Sequence, residues 1–124
     1  MSKAIKPDGF ANAVKSLIDE YGEEVQKDID EVIPQVAKEA QRKLKSAGKP
    51  SWKVYNASWA VDTQKKRYGV SCVVHNSKRY QLTHLLEFSH PMPQGGMSTA
   101  YPHIAPVNDW VQDEVIRKVE EKLK

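Results

Sequence analysis

The sequence predicts an α+β fold in which a small antiparallel sheet packs against a long, kinked N-terminal helix and a C-terminal helix. Apolar residues recur every three or four positions in residues 10–44 and again in residues 107–123, which is the period of one helix face. Between these regions, residues 52–75 are rich in aromatic and β-branched side chains, which favour strands. Helices that flank a clustered β region are typical of the α+β class.

The N-terminal region is predicted to form two helices. Residues 6–8 contain a proline and an aspartate, which are suited to beginning a helix. Gly22 is unfavourable in a helix interior, and Pro34 has no N–H to donate to the residue four positions earlier. We therefore expect a short helix near 9–21 and a longer helix near 23–46, kinked at its proline.

The β-rich middle predicts a β-hairpin. Residues 52–61 and 68–75 are its expected strands, and the polar residues 62–67 are the expected connection. An isolated hairpin is only marginally stable in water. We therefore expect a further strand from residues 86–90, from residues 101–104 or from a neighbouring subunit.

The last third of the sequence predicts a short helix, a long loop and a terminal helix. Residues 80–88 have the apolar spacing of a short helix, whereas residues 89–103 hold three prolines and two adjacent glycines. Long loops inside compact domains are usually functional or disordered. The amphipathic period returns in residues 105–123. The whole of residues 1–124 is expected to form one domain, with residues 1–8 flexible.

Composition limits the class of protein. A chain of 124 residues fits one core, which excludes a multidomain enzyme. With 40% hydrophobic and 28% charged residues it is expected to be globular rather than disordered. A net charge of +3 is too small to indicate a dedicated nucleic-acid binder. The one cysteine, Cys72, does not suggest a disulfide framework, and the absence of a long apolar run predicts no membrane partner.

The sequence offers two candidate catalytic groups, a His/Glu metal site and a pair formed by Cys72 and His75. His84 and Glu87 would share a helix face, and with His103 they form a ligand set that zinc accepts, so a His/Glu metal-dependent hydrolase is one alternative. The spacing is not that of the H-E-x-x-H motif. Cys72 and His75 are three apart, which on a strand directs them to opposite faces. We therefore predict no catalytic residue, no metal ligand and no cofactor.

The excess of positive charge is local to the middle of the chain. The basic residues at the expected hairpin tip and in the turn after the second strand are Lys65, Lys66, Arg67, Lys78 and Arg79. Such side chains can bind nucleic-acid phosphates, but they also protect strand edges from unwanted pairing. A small basic nucleic-acid-binding protein is therefore a second alternative function.

Residues 78–110 resemble a pattern found in a family of small tailed-bacteriophage proteins. Members are described as head-tail joining, neck or tail-completion proteins, and often as minor tail components. The pattern has Leu-Thr-His-Leu-Leu-Glu, a second His, a Gly-containing loop and Pro-His-Ile. The matching residues are Tyr80, Leu82, Thr83, His84, Leu85, Leu86, Glu87, His90, Gly95, Gly96, Pro102, His103, Ile104 and Pro106.

The resemblance implies a structural, non-enzymatic virion protein of a tailed phage or prophage. Such a protein would assemble in the host cytoplasm as a ring, of which a hexamer is one form, between the head connector and the tail. On this interpretation the loop 89–103 orders on a neighbouring subunit or partner. The expected contact residues are Glu87, Phe88, His90, Pro102 and His103. The basic hairpin tip would face DNA, through non-specific contact, or an acidic partner.

Overall fold

The structure, a computed structural model, describes residues 7–22, 24–67 and 69–123 and has the predicted α+β architecture. A single 3₁₀ turn at Tyr80–Leu82 leads directly into the short helix that begins at Thr83. Most of the expected flexible segment, residues 1–6, lies outside the described residues. The elements of the described ranges are α1 (Pro7–Tyr21), α2 (Glu24–Ala47), α3 (Lys53–Ala57), β1 (Trp59–Lys66), β2 (Gly69–Asn76), α4 (Thr83–Glu87) and α5 (Ile104–Leu123).

The break between α1 and α2 lies at Gly22, as the sequence predicts. Gly22 has a φ of +78°, in the left-handed region that glycine enters without a steric penalty. Its N–H donates to the carbonyl of Ile18 at 2.8 Å, which closes the last turn of α1. Pro34 lies inside α2, and the helix continues across it to Ala47.

The main core lies between α2 and α5. Its fully buried members form a valine cluster, and Phe10 and Leu17 of α1 pack against its side. The valine cluster consists of Val25, Val32, Val36, Val115 and Val119.

Among the helices of the described ranges, none combines the length and the apolar character that a bilayer span requires.

A second core cluster joins the other end of α2 to α3 and β1. Tyr55 and Trp59 are four residues apart, and their rings meet edge to face with centroids 5.6 Å apart. The prediction of a strand over residues 52–61 is therefore wrong for residues 53–57, which form the helical turn α3. A helical turn places Tyr55 and Trp59 on one side of the backbone, where both are buried.

The hairpin has a tighter turn than predicted, and its first strand begins later in the sequence. Trp59 pairs with Asn76 at one end and Lys66 with Gly69 at the other, so only positions 67 and 68 separate the strands. Residues 62–66, predicted to lie in the connection, belong to β1. Their polarity reflects exposure on a thin hairpin rather than a loop conformation.

The hairpin is supported by α2 rather than by a third strand. Both strands lie against α2, and the backbone N–H of Val70 donates to the Asp30 carboxylate of that helix at 3.2 Å. Within the described ranges the sheet has two strands. The prediction of a third strand from residues 86–90 or 101–104 is wrong, because neither segment pairs with β1 or β2. A strand from a neighbouring subunit stays a prediction.

Candidate assembly site

Residues 88–98, which comprise Phe88 and the first part of the loop 89–103, form a short self-paired segment that we call the arm. The N–H of Ser98 donates to the carbonyl of His90 at 2.8 Å, and the N–H of Met92 donates to the carbonyl of Gly96 at 3.0 Å. The N–H of His90 donates to the Ser98 hydroxyl, which also lies 2.8 Å from His90 Nδ1. Gly95 and Gly96, both with positive φ, make the turn. The arm is therefore an ordered hairpin-like loop.

The arm carries exposed apolar side chains and no formal charge. Phe88 is 65% exposed and Met97 is 61% exposed, and Met92 is exposed between them. Two of the three methionines and one of the two phenylalanines of the chain lie here. Residues 88–108 contain no Asp, Glu, Lys or Arg, although 28% of the chain is charged. Depletion of charge with enrichment of aromatic residues and methionine is typical of interface cores.

The base of the loop is held by Glu87, the last residue of α4. One carboxylate oxygen accepts the backbone N–H groups of His103 and Ile104, at 2.8 and 2.9 Å, and the other accepts that of Ala105 at 2.9 Å. Pro106 has no N–H. The unpaired donors at the start of α5 are thus satisfied by a side chain from another helix, which also places a negative charge at the positive end of the helix dipole.

His103 lies in the core beside Glu87 and Tyr55. We call these three buried residues the anchor, because they fix the base of the loop. The Nδ1 of His103 lies 3.0 Å from Glu87 Oε1 and 2.8 Å from the carbonyl oxygen of Tyr101, so these two acceptors assign the ring proton to Nδ1. Its Nε2 lies 2.7 Å from the Tyr55 hydroxyl, which donates to it in that tautomer. Only 2% of His103 is exposed, so the contacts that orient the ring come from this chain.

The anchor shifts the acid-base properties of two of its members. Burial opposes ionisation of Glu87, but the backbone N–H groups of His103, Ile104 and Ala105, helped by the His103 ring, outweigh it and hold the pKa of Glu87 below its ordinary value of 4.5. Burial, with the nearby Glu87 charge, raises the pKa of Tyr55 to about 12. The structure therefore favours a charged carboxylate beside a neutral phenol.

Aromatic rings close the anchor on its outer side. The Trp52 ring meets those of Tyr55, Tyr101 and His103 edge to face, with centroids 5.0 to 5.8 Å apart. The ammonium of Lys49 lies over Trp52 and Tyr101, at 5.8 and 5.4 Å from the ring centroids. These contacts fix the segment between the arm and α5.

The predicted contact residues therefore separate into two groups. Phe88 and Pro102 are exposed and His90 is half-buried, which leaves them near a surface that a partner could reach. Glu87 and His103 are buried, at 6% and 2% exposure, and are bonded within the chain. Glu87 and His103 therefore hold the loop in place from inside the subunit, and a role of the five residues at an interface stays a prediction.

The five predicted basic contact residues do not form one patch. Lys65 and Lys66 end β1 and Arg67 follows in the turn, all exposed at the hairpin tip. Lys78 and Arg79 follow the opposite end of β2. Seven strand steps separate the two ends of the hairpin, about 23 Å at the usual rise.

Of the side chains considered for metal binding or catalysis, Glu87 and His103 are in contact. His84 is exposed, and no three potential ligand side chains of the described ranges meet as a metal-binding group. Cys72 Sγ lies 3.3 Å from the Thr63 hydroxyl, whereas His75 lies 3.6 Å from Asp62. Because Asp62 and Thr63 are adjacent on β1, these two pairs lie on opposite faces of the hairpin.

An apolar groove of about 520 Å³ lies between the hairpin and α5, with Leu44 of α2 among its lining residues. Its walls include Val74 of β2 and Val107 of α5, and Tyr80, which is 63% exposed, stands at its edge. A second hollow of about 310 Å³ shares Ile104 with the groove and has Phe88 at its rim. The groove and the arm therefore border one another on the surface.

Comparison with known proteins identifies the family. Residues 8–88 match the model of the HK97-gp10-like family, described as "Bacteriophage HK97-gp10, putative tail-component". The chain belongs to the HK97-gp10-like family. Comparison with curated proteins gave no match, and neither did comparison with solved structures.

The family match places the HK97-gp10-like region in the helices and the hairpin. It spans nearly all of α1, the elements from α2 to α4 and Phe88, and it ends before the rest of the arm and α5. Of the residues that carried the sequence resemblance, Tyr80 to Glu87 lie inside the matched span. Those from His90 onward lie outside it. The family match therefore confirms the predicted phage tail-component family, and it overlaps the sequence resemblance in residues 80–87.

Sequence reasoning missed Asn76, which orients the end of the HK97-gp10-like hairpin. Its side-chain amide donates to the carbonyl of Tyr55 at 2.8 Å, and its side-chain oxygen accepts the N–H of Arg79 at 2.9 Å. An Asn followed by Ser at a strand end is a turn signal that could have indicated this role. The capping role of Glu87 had no such signal, because its three partners are 16 to 18 residues away.

Proposed function

We propose that this HK97-gp10-like chain is a structural virion protein that joins the head connector to the tail as a subunit of a neck or tail-completion ring. The observation that carries the proposal is the arm, an ordered, uncharged loop with exposed Phe88 and Met97 on a base fixed by buried Glu87 and His103. Family membership supports the tail location.

An exposed, apolar and ordered arm is suited to binding another protein. Exposed apolar groups that cluster on a small domain mark interaction surfaces. Because the arm is already ordered by its own hydrogen bonds, little conformational entropy is lost when it binds. The apolar groove is a separate surface of the same subunit, so it allows a head-to-tail contact, which closes into a ring when the rotation permits.

The partners in this proposal are further copies of the chain and the neighbouring connector and tail proteins. The chain would be present in the host cytoplasm during assembly and in the virion afterwards. It acts by binding and has no catalytic role.

The experiment is to image particles produced without this protein. A joining role predicts unattached, DNA-filled heads together with complete tails. A tail-terminating role predicts tails of irregular length. Normal infectious particles in its absence would overturn the proposal.

A second candidate function is a direct contact with DNA through the hairpin tip. Lys65, Lys66 and Arg67 are exposed, and none of the ion pairs within the described ranges involves them. Unpaired surface cations can release counterions from DNA phosphates, which makes the affinity strongly salt-dependent. The test is the affinity for duplex DNA over a range of salt concentrations.

A further inference from the structure

We propose that the arm of one subunit docks in the apolar groove of the next, so that this single contact, repeated, forms the ring. The inference rests on the proposed ring and specifies which two surfaces build it. The tip of the arm, with Met92 and Met97, enters the groove of the next subunit. Phe88 of the same arm covers the hollow beside that groove.

The groove has the character of an unfilled apolar interface. Its lining contains no Asp, Glu, Lys or Arg. Among its apolar lining residues, Tyr80 is 63% exposed, and Val74, Ile104 and Val111 are half-buried. Removal of such apolar surface from water favours association.

The arm matches this groove in charge. Both surfaces lack formal charges, so docking leaves no charged group buried without a partner, which would be costly. A partner rich in charged residues would incur that cost at the same groove. Asn108, which is exposed and lines both the groove and the hollow, carries polar atoms that can bond the backbone of the incoming arm.

The groove of a subunit does not hold its own arm. Residues 89–98 pair with one another and do not line the groove of their own subunit. Phe88 reaches only the rim of the hollow beside that groove, on the same subunit. The anchor fixes the base of the arm from both ends, through α4 on one side and the start of α5 on the other. A second copy of the chain is therefore the occupant that matches the groove.

The native cysteine allows a direct test, because Cys72 lines the groove. Met97→Cys adds a thiol at the exposed arm, and a short bis-maleimide is applied to phage particles assembled with this variant. Each subunit then carries one reactive group on each side of the proposed contact. We expect a ladder of dimers, trimers and higher species up to the full ring.

Three matched variants complete the design. Cys72→Ser combined with Met97→Cys removes the groove thiol, so cross-linking stops at dimers. Val54→Cys places a thiol at 49% exposure on α3, outside the arm and the lining of the groove, and is expected to give no ladder. Phe88→Asp in the Met97→Cys background is expected to reduce the ladder by about tenfold or more, because it charges an exposed interface residue without disturbing the core.

The outcomes separate the two proposals. A chain that is present at the head-tail junction but gives no ladder overturns the docking inference and leaves the joining function intact. Cross-linking only within single subunits shows that the arm fills its own groove, which also overturns the inference. A chain that is absent from the junction overturns both.

Discussion

The Glu87 carboxylate lies 3.0 Å from Nδ1 of His103, and together these two residues connect α4, the loop and α5 in the interior of the subunit. Glu87 ends α4 and caps the start of α5, while His103 lies against Tyr55 of α3. The arm between them is therefore displayed from a rigid base, although it contributes little to the core itself.

Removal of one acceptor from the anchor is expected to destabilise the fold. Glu87→Gln replaces one carboxylate oxygen with an amide donor that faces a backbone N–H, so at least one buried donor loses its partner. We expect the free energy of unfolding to fall by about 1–3 kcal/mol in urea denaturation. Glu120→Gln, at an exposed position of α5, is the matched control and should stay within about 0.5 kcal/mol of the parent.

The same carboxylate predicts the direction of the pH dependence. Because the folded pKa of Glu87 is lowered, its stabilising contribution is fully present above the ordinary value of 4.5 and is lost as the pH falls through the lowered pKa. The difference in unfolding free energy between the parent and Glu87→Gln should therefore shrink below about pH 4.5. A difference that stays constant down to pH 2.5 would show that the carboxylate charge is not involved.

Tyr55 predicts a change at the alkaline end. With its pKa raised to about 12, the folded state holds the phenol proton more tightly than the unfolded chain does. Its contribution to stability is present below pH 10 and is lost between about pH 10 and 12. Absorbance titration should show one late phenolate component that Tyr55→Phe removes. Tyr21→Phe, at a more exposed ring, should leave that component in place.

The DNA candidate predicts unequal effects at the two ends of the hairpin. Replacement of Lys65, Lys66 and Arg67 by Gln should weaken binding to duplex DNA and reduce the salt slope by about 3, close to 0.9 per lost phosphate contact. Lys78→Gln with Arg79→Gln, about 23 Å away, is the control. Fluorescence anisotropy measures both, and equal losses at the two ends would count against a contact specific to the tip.

The long helices could be predicted from the sequence because their faces follow a clear period. Gly22 gave the boundary between α1 and α2, and the expected limits differ from the observed ones by only a few residues. The short elements were harder. Residues 53–57 have the composition of a strand, but packing of Tyr55 on the second core cluster favours a helical turn.

The site was predicted in part. The sequence directed attention to the loop 89–103 and to Glu87 and His103, but it could not distinguish surface residues from buried ones. That distinction depends on bonds between positions 16 to 48 residues apart. The apolar groove was not predicted, because its walls come from separate elements that only the tertiary fold brings together.

The position of this chain in intact particles, determined by cryo-electron microscopy, is the most direct test of the proposed joining function. That function predicts a closed ring of copies between the head connector and the tail, with the described fold fitted into each subunit of the density. Density for this chain elsewhere in the particle, or its absence from the junction, would contradict the joining function.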